Sequence, residues 1–543
     1  MKVPFGTQPR GNIKEYSMYQ CPNCGGNLKF DIRSQMLKCE NCMTEKDPYS
    51  VHKEKDAEES KQFDVTVFTC PQCGGEILST ETSAAEFCSF CGASTILTSR
   101  VAKKRRPGYI IPFQKTKEDC KAAYSKLLRK SLFAPKALKD ERRIDSFRGI
   151  YIPYWAYHIA NNGNVTLNGE KSFRRGNYIY TDHYQLGGYL SSYYKGINYD
   201  ASSSFDDRLS ESIAPYDVRG MKEFTPSILS GFYADVSDVD CNIYIKDAET
   251  FANDTTMSAI EHNPAFKGID IKKPKSNHAT SVALGTECKE IDSAMFPVWF
   301  MSYRNGDRVA YAVVNGQTGK ATADIPVSVG KYFLGSLIIA LPFFLLLNLL
   351  FTVIPQTALG VACILAVITE IISVTELSQI KRREARLDDK GYLYKNRRLS
   401  DNAKPRKSAS PKKKTSSNTV VSIITIAIIV ACFLVTGAMG LLVGMMLPVC
   451  FVLSLVFMIK GFITNKRIDI KTGFPTQLIV FIAVTIACLI RLINPVSDIV
   501  YYSAVILTMF SVLLTNVGII KKHNLLTTRR LPQFDRKGGD DRA

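Results

Sequence analysis

Hydrophobic residues fall along this chain in two regimes. Up to about residue 331 they form short runs, alternating with polar positions or spaced three and four apart. After Tyr332 they fuse into long stretches interrupted by basic loops. A helix needs about 20 apolar residues to cross a bilayer. The segments 333–354 and 357–374, parted by Pro355-Gln356, predict a first helical hairpin. The run 419–459 exceeds one helix, and Gly437, Gly440 and Gly444 break it near its middle, which predicts a second. A third joins 475–493 to 499–520 through Asn494-Pro495. The pattern thus predicts an all-α transmembrane domain of about six helices, over 333–374, 419–459 and 475–520. A count of four full spans follows if the hairpin 333–374 is re-entrant.

The first 331 residues predict smaller elements, and no signal-peptide core follows Met1, so this half is expected to stay inside the cell. Thr116-x-x-Asp119 reads as a capping box. Cys120, Tyr124, Leu127 and Leu128 then share one face of a helix ending near Lys130. A second helix follows Pro135, and a helical stretch lies near 239–262. Elsewhere strands prevail, with ten of the 25 tyrosines between Gly149 and Asp200. Asn161-Asn162-Gly163 and Asn305-Gly306 signal hairpins. The second of these joins strands 296–303 and 308–314, and the chain returns through Gly316 to a strand at 321–325 that leads into the membrane. Together these make an α+β middle domain over 108–330. Tyr151, Tyr154, Trp155 and Tyr157 read as sheet packing, a ligand groove being the sharper alternative.

Two cysteine quartets add chemistry to this outline. Cys21-x2-Cys24 and Cys39-x2-Cys42 are separated by fourteen residues, and Cys70-x2-Cys73 and Cys88-x2-Cys91 repeat the arrangement 49 positions later. Four thiolates so spaced can surround one tetrahedral metal ion, and thiolates persist in a reducing compartment. Each quartet predicts a small β zinc ribbon, over 16–45 and 67–98, joined by a charged linker, 46–66, that lets them move independently. Fragments of this size bury too little core to fold alone, whereas metal binding worth about 10–16 kcal/mol folds them. Two structural Zn2+ ions are expected, since an all-cysteine shell leaves no open position for water or substrate. Iron in a rubredoxin-like site is the alternative.

Charge orients the chain. The loop 375–418 carries fourteen Lys/Arg against five acids, 460–475 four against one, and the tail 521–543 seven against three. Positive loops stay cytoplasmic, so both termini of this multi-pass cell-membrane protein are expected in the cytosol. These segments hold +16 of the formal +19, while residues 1–100 carry a net −2. Nucleic-acid affinity rests on basic side chains neutralising phosphates, so the ribbons lack that footprint. Lys103-Lys104-Arg105-Arg106 reads as a solvated connector, or as a contact for lipid headgroups or RNA.

Catalytic patterns are missing. Gly316-Gln-Thr-Gly319-Lys320 has a misplaced first glycine for a phosphate loop and Ala at 321. The six His form no H-E-x-x-H, and no G-x-S-x-G occurs. Cys120, Cys241, Cys288, Cys363, Cys432, Cys450 and Cys488 read as small apolar fillers. Glu370 is expected near the cytoplasmic end of its span, snorkelling to water, and Arg491 at the outer end of another. Neither placement suits an ion pathway.

In order along the chain, the two quartets are followed by Ile110-Ile-Pro-Phe113, Gly149-Ile-Tyr-Ile-Pro-Tyr-Trp155, Phe296-Pro-Val-Trp-Phe300 and Val314-Asn-Gly-Gln-Thr-Gly-Lys320. Over about residues 16–331 this set resembles the double zinc-ribbon membrane proteins of Gram-positive, especially clostridial, bacteria. The resemblance implies a cytosolic platform tied to the membrane, with relatives encoded near membrane-stress proteins. The function expected first is therefore non-enzymatic: ribbons on the bilayer that recruit a cytosolic or membrane protein partner. A membrane-tethered nucleic-acid-binding regulator and a zinc-regulated channel or transporter are the alternatives.

Overall fold

The computed structural model describes residues 19–51, 62–79, 88–92, 98–350, 354–384, 390, 439–466 and 476–532. Its centre is an antiparallel pair, Arg148–Arg175 and Thr286–Asn305, in which Tyr154 faces Ala294 and Trp155 faces Ser293. Successive side chains on a strand point to opposite faces, and here both faces are buried. Tyr151, Met295, Trp299, Ala312 and Val314 enter one core, while Ile150, Ile152, Tyr154, Phe296, Val298 and Val313 enter the other. This explains Tyr151 and Tyr154 of the tyrosine run, whereas Tyr178, Tyr180, Tyr184, Tyr189 and Tyr193 are exposed. Tyr154 stacks on Phe296 with ring centroids 4.6 Å apart, and Phe113 stacks on Phe232 at 4.5 Å. Tyr151, Tyr154, Trp155 and Tyr157 are all buried in the sheet core.

Different elements cover the two faces. Helix Lys117–Lys130 starts at the Thr116–Asp119 capping box and lays Cys120, Tyr124 and Leu128 on the first face. The first Cys quartet sits on the same face, with Leu28, Phe30, Leu37, Cys21 and Cys39 in that core. The Phe30 amide donates to the Ser230 carbonyl (3.1 Å), the Ser230 hydroxyl to the Leu28 carbonyl (2.6 Å) and the Gln35 amide to the Phe113 carbonyl (2.8 Å). Helix Asp207–Ile213 covers the second face with Leu209 and Ile213.

The second quartet is built into the sheet itself. Glu76–Ser79 pairs with Tyr233–Ala234, which runs parallel to Ile150-Tyr151. Gln62–Thr69 pairs with Glu76–Ser79 and, on its other side, with Thr98–Arg105. The expectation of two ribbons moving on a charged linker is therefore corrected: one quartet is docked on a buried face and the other extends the sheet. Lys103, Lys104 and Arg105 are likewise not a connector but part of the outermost strand. A Lys/Arg-rich edge discourages further pairing by other chains.

A second correction concerns Asn161-Asn162-Gly163, which lies inside the strand Arg148–Arg175. The Asn161 amide is buried and donates to Asn253 and Thr256 of helix Ile245–Glu261, so tertiary contacts override the local turn signal. The turn falls instead at Gly176-Asn177, with Gly176 at φ +65°. Asn305 does precede a hairpin turn, since Asn305 pairs with Arg308.

Five helices among the described residues have membrane length and composition: Val329–Leu350, Pro355–Glu384, Met439–Lys466, Thr476–Ile493 and Asp498–Thr527. The sixth predicted helix falls on 419–438, outside the described residues. The last four helices pack together through Leu359, Cys363, Leu447, Ala487 and Tyr501, and further along through Ala366, Val367, Cys450, Val484 and Val512. Pro355–Glu384 outruns the predicted 357–374 by almost three turns. Glu370 consequently does not snorkel: it is fully buried, and Ser454 donates to it at 2.7 Å.

The bundle is fastened to the sheet. Asn524 exchanges two hydrogen bonds with the Val327 backbone (2.7 and 2.8 Å), and Arg308 donates to the carbonyls of Leu525 and Thr528. Arg529–Arg530 then adds a short strand beside Arg308-Val309. Residues 521–530 of the predicted basic tail thus continue the last helix and pair with the sheet. Arg529 lies between Asp206 and Asp324, all three largely buried. Removing one partner of a buried ion pair strands the other charge, at a cost of about 3–5 kcal/mol. Arg529→Ala should therefore lower the thermal midpoint of the purified protein markedly, and Arg529→Ala with Asp206→Asn should recover part of the loss. An unchanged midpoint for the single variant would refute the role assigned to this junction.

Candidate metal centres

Each quartet is assembled from two turns of one design. The Cys21 amide donates to the Gly26 carbonyl (2.7 Å) and the Gly25 amide to the Cys21 carbonyl (2.8 Å); Cys70 with Gly75 (2.9 Å) and Gly74 with Cys70 (2.8 Å) repeat the pattern. Gly25 and Gly74 adopt φ +71° and +74°, a region that favours glycine. The second arms turn through Met43 and Gly92, at φ +59° and +69°, whose amides donate to Cys39 and Cys88. Gly26 is needed for another reason. A Cβ there would lie 2.7 Å from the Asn41 amide nitrogen and 3.2 Å from the Cys39 sulfur.

These turns bring the four sulfurs of each quartet within 4.8 Å of one another. Cys21–Cys42, Cys24–Cys39 and Cys24–Cys42 are separated by 3.5, 3.4 and 3.3 Å, and Cys70–Cys91 and Cys73–Cys88 by 3.8 and 3.7 Å. A tetrahedron with metal–sulfur bonds of about 2.3 Å has edges of about 3.8 Å. The donor sets therefore fit a metal ion, the second quartet most closely. All eight predicted ligands, Cys21, Cys24, Cys39, Cys42, Cys70, Cys73, Cys88 and Cys91, fall in the two groups.

Crowded thiols share protons unevenly. The Thr44 hydroxyl and backbone bring the Cys42 thiol down to about 6. In the second quartet hydrogen bonds among the sulfurs push Cys70 down and Cys73 and Cys88 up. A bound cation would replace those shared protons, and its affinity then falls as acid restores them. Thr44, 3.1 Å from the Cys42 sulfur, escaped the sequence reading because a lone threonine carries no spacing signal.

The two centres differ in access. Cys24 and Cys42 are exposed, whereas all four cysteines of the second quartet are buried. Phe68, Ile77 and Phe90 pack around that second group, and the Tyr311 hydroxyl donates to the Phe90 carbonyl at 2.7 Å.

The other candidate residues behave structurally. Asn315, Gly316 and Gly319 form a hairpin turn in which the Gly319 amide donates to the Asn315 carbonyl at 2.9 Å. Cys120 is buried in the first core. One polar group was missed. Ser373, Ser454, Gln477 and Lys522 are buried among the membrane helices, and only the spacing Glu370-x-x-Ser373-x-x-Glu376 inside an apolar run hinted at it.

Among the described residues, two four-cysteine sites, a large β-sheet and five membrane-length helices define the class, a membrane protein equipped to hold two metal ions. The chain is similar to YdjG, an uncharacterised protein of Bacillus subtilis (strain 168), at 29% identity over 323 residues, covering 58% of this chain and 91% of that one. No family profile matches the chain, and no solved structure does.

The difference in access predicts two-phase metal loss. Excess chromogenic chelator should take one ion quickly from the exposed quartet and the second at least about tenfold more slowly, a barrier difference of about 1.4 kcal/mol. Cys24→Ser should remove the fast phase and leave the slow amplitude intact. A single phase releasing both ions would contradict the asymmetry.

Proposed function

We propose that this protein is a non-enzymatic, multi-pass membrane platform in which two zinc ions brace a cytosolic sheet domain that recruits a cytosolic protein partner. Zinc is supported by the all-thiolate donor sets and their near-tetrahedral spacing, which leave no position for a substrate. The recruiting role is carried by one observation, the long hairpin Arg148–Arg175 and Tyr178–Asp200. Near its turn Phe173, Tyr178, Ile179 and Tyr180 are exposed, Tyr178 and Ile179 at 72% and 74%. Phe173 and Tyr180 stack on each other with centroids 5.8 Å apart. Lys171, Arg174 and Arg175 flank them. Aromatic residues with arginine are the composition of protein-binding hot spots, and the basic flank selects an acidic partner surface.

Orientation follows from the basic segments 375–418, 460–475 and 521–543, which belong in the cytosol. The contacts of Val327 with Asn524 support one side for the sheet domain and the 527 end of the last helix.

Two measurements test this reading. Full-length protein, cross-linked in cells and purified from gently solubilised membranes, should carry a defined acidic protein. A Phe173→Ser, Tyr178→Ser, Tyr180→Ser variant should lose it at least about tenfold, equivalent to ~1.4 kcal/mol, with metal content and thermal midpoint unchanged. Equal recovery with the variant rejects the hairpin as the docking surface. In the second, Val496, fully exposed between two helices, is replaced by cysteine. Val496→Cys should react with an impermeant thiol reagent on intact cells, and Asn465→Cys only after permeabilisation. The reverse pattern inverts the topology.

A further inference from the structure

Glu370 is the acidic group at the heart of the four packed helices. It is 0% exposed at the centre of Pro355–Glu384. One carboxyl oxygen, Oε2, accepts a hydrogen bond from Ser454 of Met439–Lys466 at 2.7 Å, and Ser454 is itself fully buried. The other oxygen, Oε1, is buried with no partner among the described residues. An ionised carboxylate buried with one hydrogen bond and no counter-charge is costly. Ionisable side chains inside a membrane bundle are rare and mark ion or proton sites.

The surroundings narrow the ligand. The charged groups facing the bundle interior from the packed helices lie toward its ends. Lys522 of Asp498–Thr527 donates to Ser373 at 2.6 Å, one turn beyond Glu370, where Gln477 also donates at 3.3 Å. Glu376 follows on the same helix, with its Oε2 buried and without a hydrogen bond among the described residues, and its charge attracts Lys522. At the far end Arg491 donates to Gln356 at 2.6 Å. The interior also holds the thiols Cys363 and Cys450, the half-buried thiol Cys488, and Tyr501, whose hydroxyl donates to Asn494. Ser454 is the partner seen on Glu370. A metal cation asks for a fuller shell of oxygens, whereas one proton on Oε1 would by itself cancel the buried charge.

We propose that Glu370 is a proton-binding site inside the helical bundle, reached from the end that abuts the sheet domain. A proton from hydronium in solvent forms an O–H bond at Oε1 and releases water, the carboxylate becomes a neutral carboxylic acid, and Ser454 keeps its hydrogen bond to Oε2. Glu370, Ser373 and Glu376, three residues apart with a rise of about 4.5 Å between each, mark the polar route. Lys522 lies two residues before Asn524, the residue that grips Val327. A charge change in this column therefore acts close to the joint with the sheet.

The test is infrared difference spectroscopy on the full-length protein in lipid nanodiscs, between about pH 5 and about pH 9. The wild type should show the carbonyl stretch of a protonated carboxylic acid that disappears at the higher pH. Glu370→Gln, which mimics the protonated group, should lose one carboxyl equivalent of that band. Asp235, buried in the sheet domain and held up at about 7 by burial, supplies a separate band that survives this substitution. Ser454→Ala should keep the Glu370 band but move it to higher frequency, and this second variant decides the matter if Glu370→Gln does not fold. Exchange of choline chloride for sodium chloride should change nothing. An undiminished band in Glu370→Gln, or an unmoved band in Ser454→Ala, overturns the proposal. Loss of the band in sodium chloride does so as well, by making this a metal-cation site.

Discussion

A β-sheet buried on both faces must find a cover for each, and most of this architecture answers that constraint. Ile150 to Tyr154 alternate between two cores, so neither face tolerates water. On one side the cover is a helix together with the first Cys quartet, whose Leu28, Phe30 and Leu37 point into the sheet. Those three side chains stay in place only while the small unit presenting them stays folded. The unit is too short to manage this by apolar burial alone. The sulfur tetrahedron and the sheet core are therefore one cooperative object, and the second quartet, continuous with the sheet strands, extends it.

The same sheet anchors the membrane bundle. Arg529 bridges Asp206 and Asp324 beside the short strand Arg529–Arg530, and Asn524 holds the backbone just ahead of the first apolar helix. The sheet domain and the helical bundle meet through hydrogen bonds, a buried ion pair and strand pairing rather than a flexible tether.

Several signals in the chain carried over directly. The Thr116–Asp119 capping box starts its helix, because both bonds lie within four residues. The hairpin turn after Asn305 forms because strands on either side agree with it. The Asn162-Gly163 signal failed because Asn161 is claimed by Asn253 and Thr256, residues over ninety positions away. Lys103 to Arg105 looked like a solvated connector, since an edge strand rich in charged residues has a linker's composition. Glu370 was misplaced for a related reason. The depth of a residue in a span follows from where the helix ends, and the apolar run stopped at 374 while the helix continued to 384.

What the chain determined alone was whatever depends on short separations or on bulk composition. That covers the two cysteine quartets, whose knuckle turns close within a few residues, and the helices rich enough in hydrocarbon to seek lipid. Only the tertiary structure decided that the quartets are welded to one sheet, that Tyr151 and Tyr154 enter two opposed cores, and that Glu370, Ser454 and Lys522 turn inward. Those outcomes arise from pairings across tens to hundreds of residues, where burial is shared between surfaces and no local pattern records the partner.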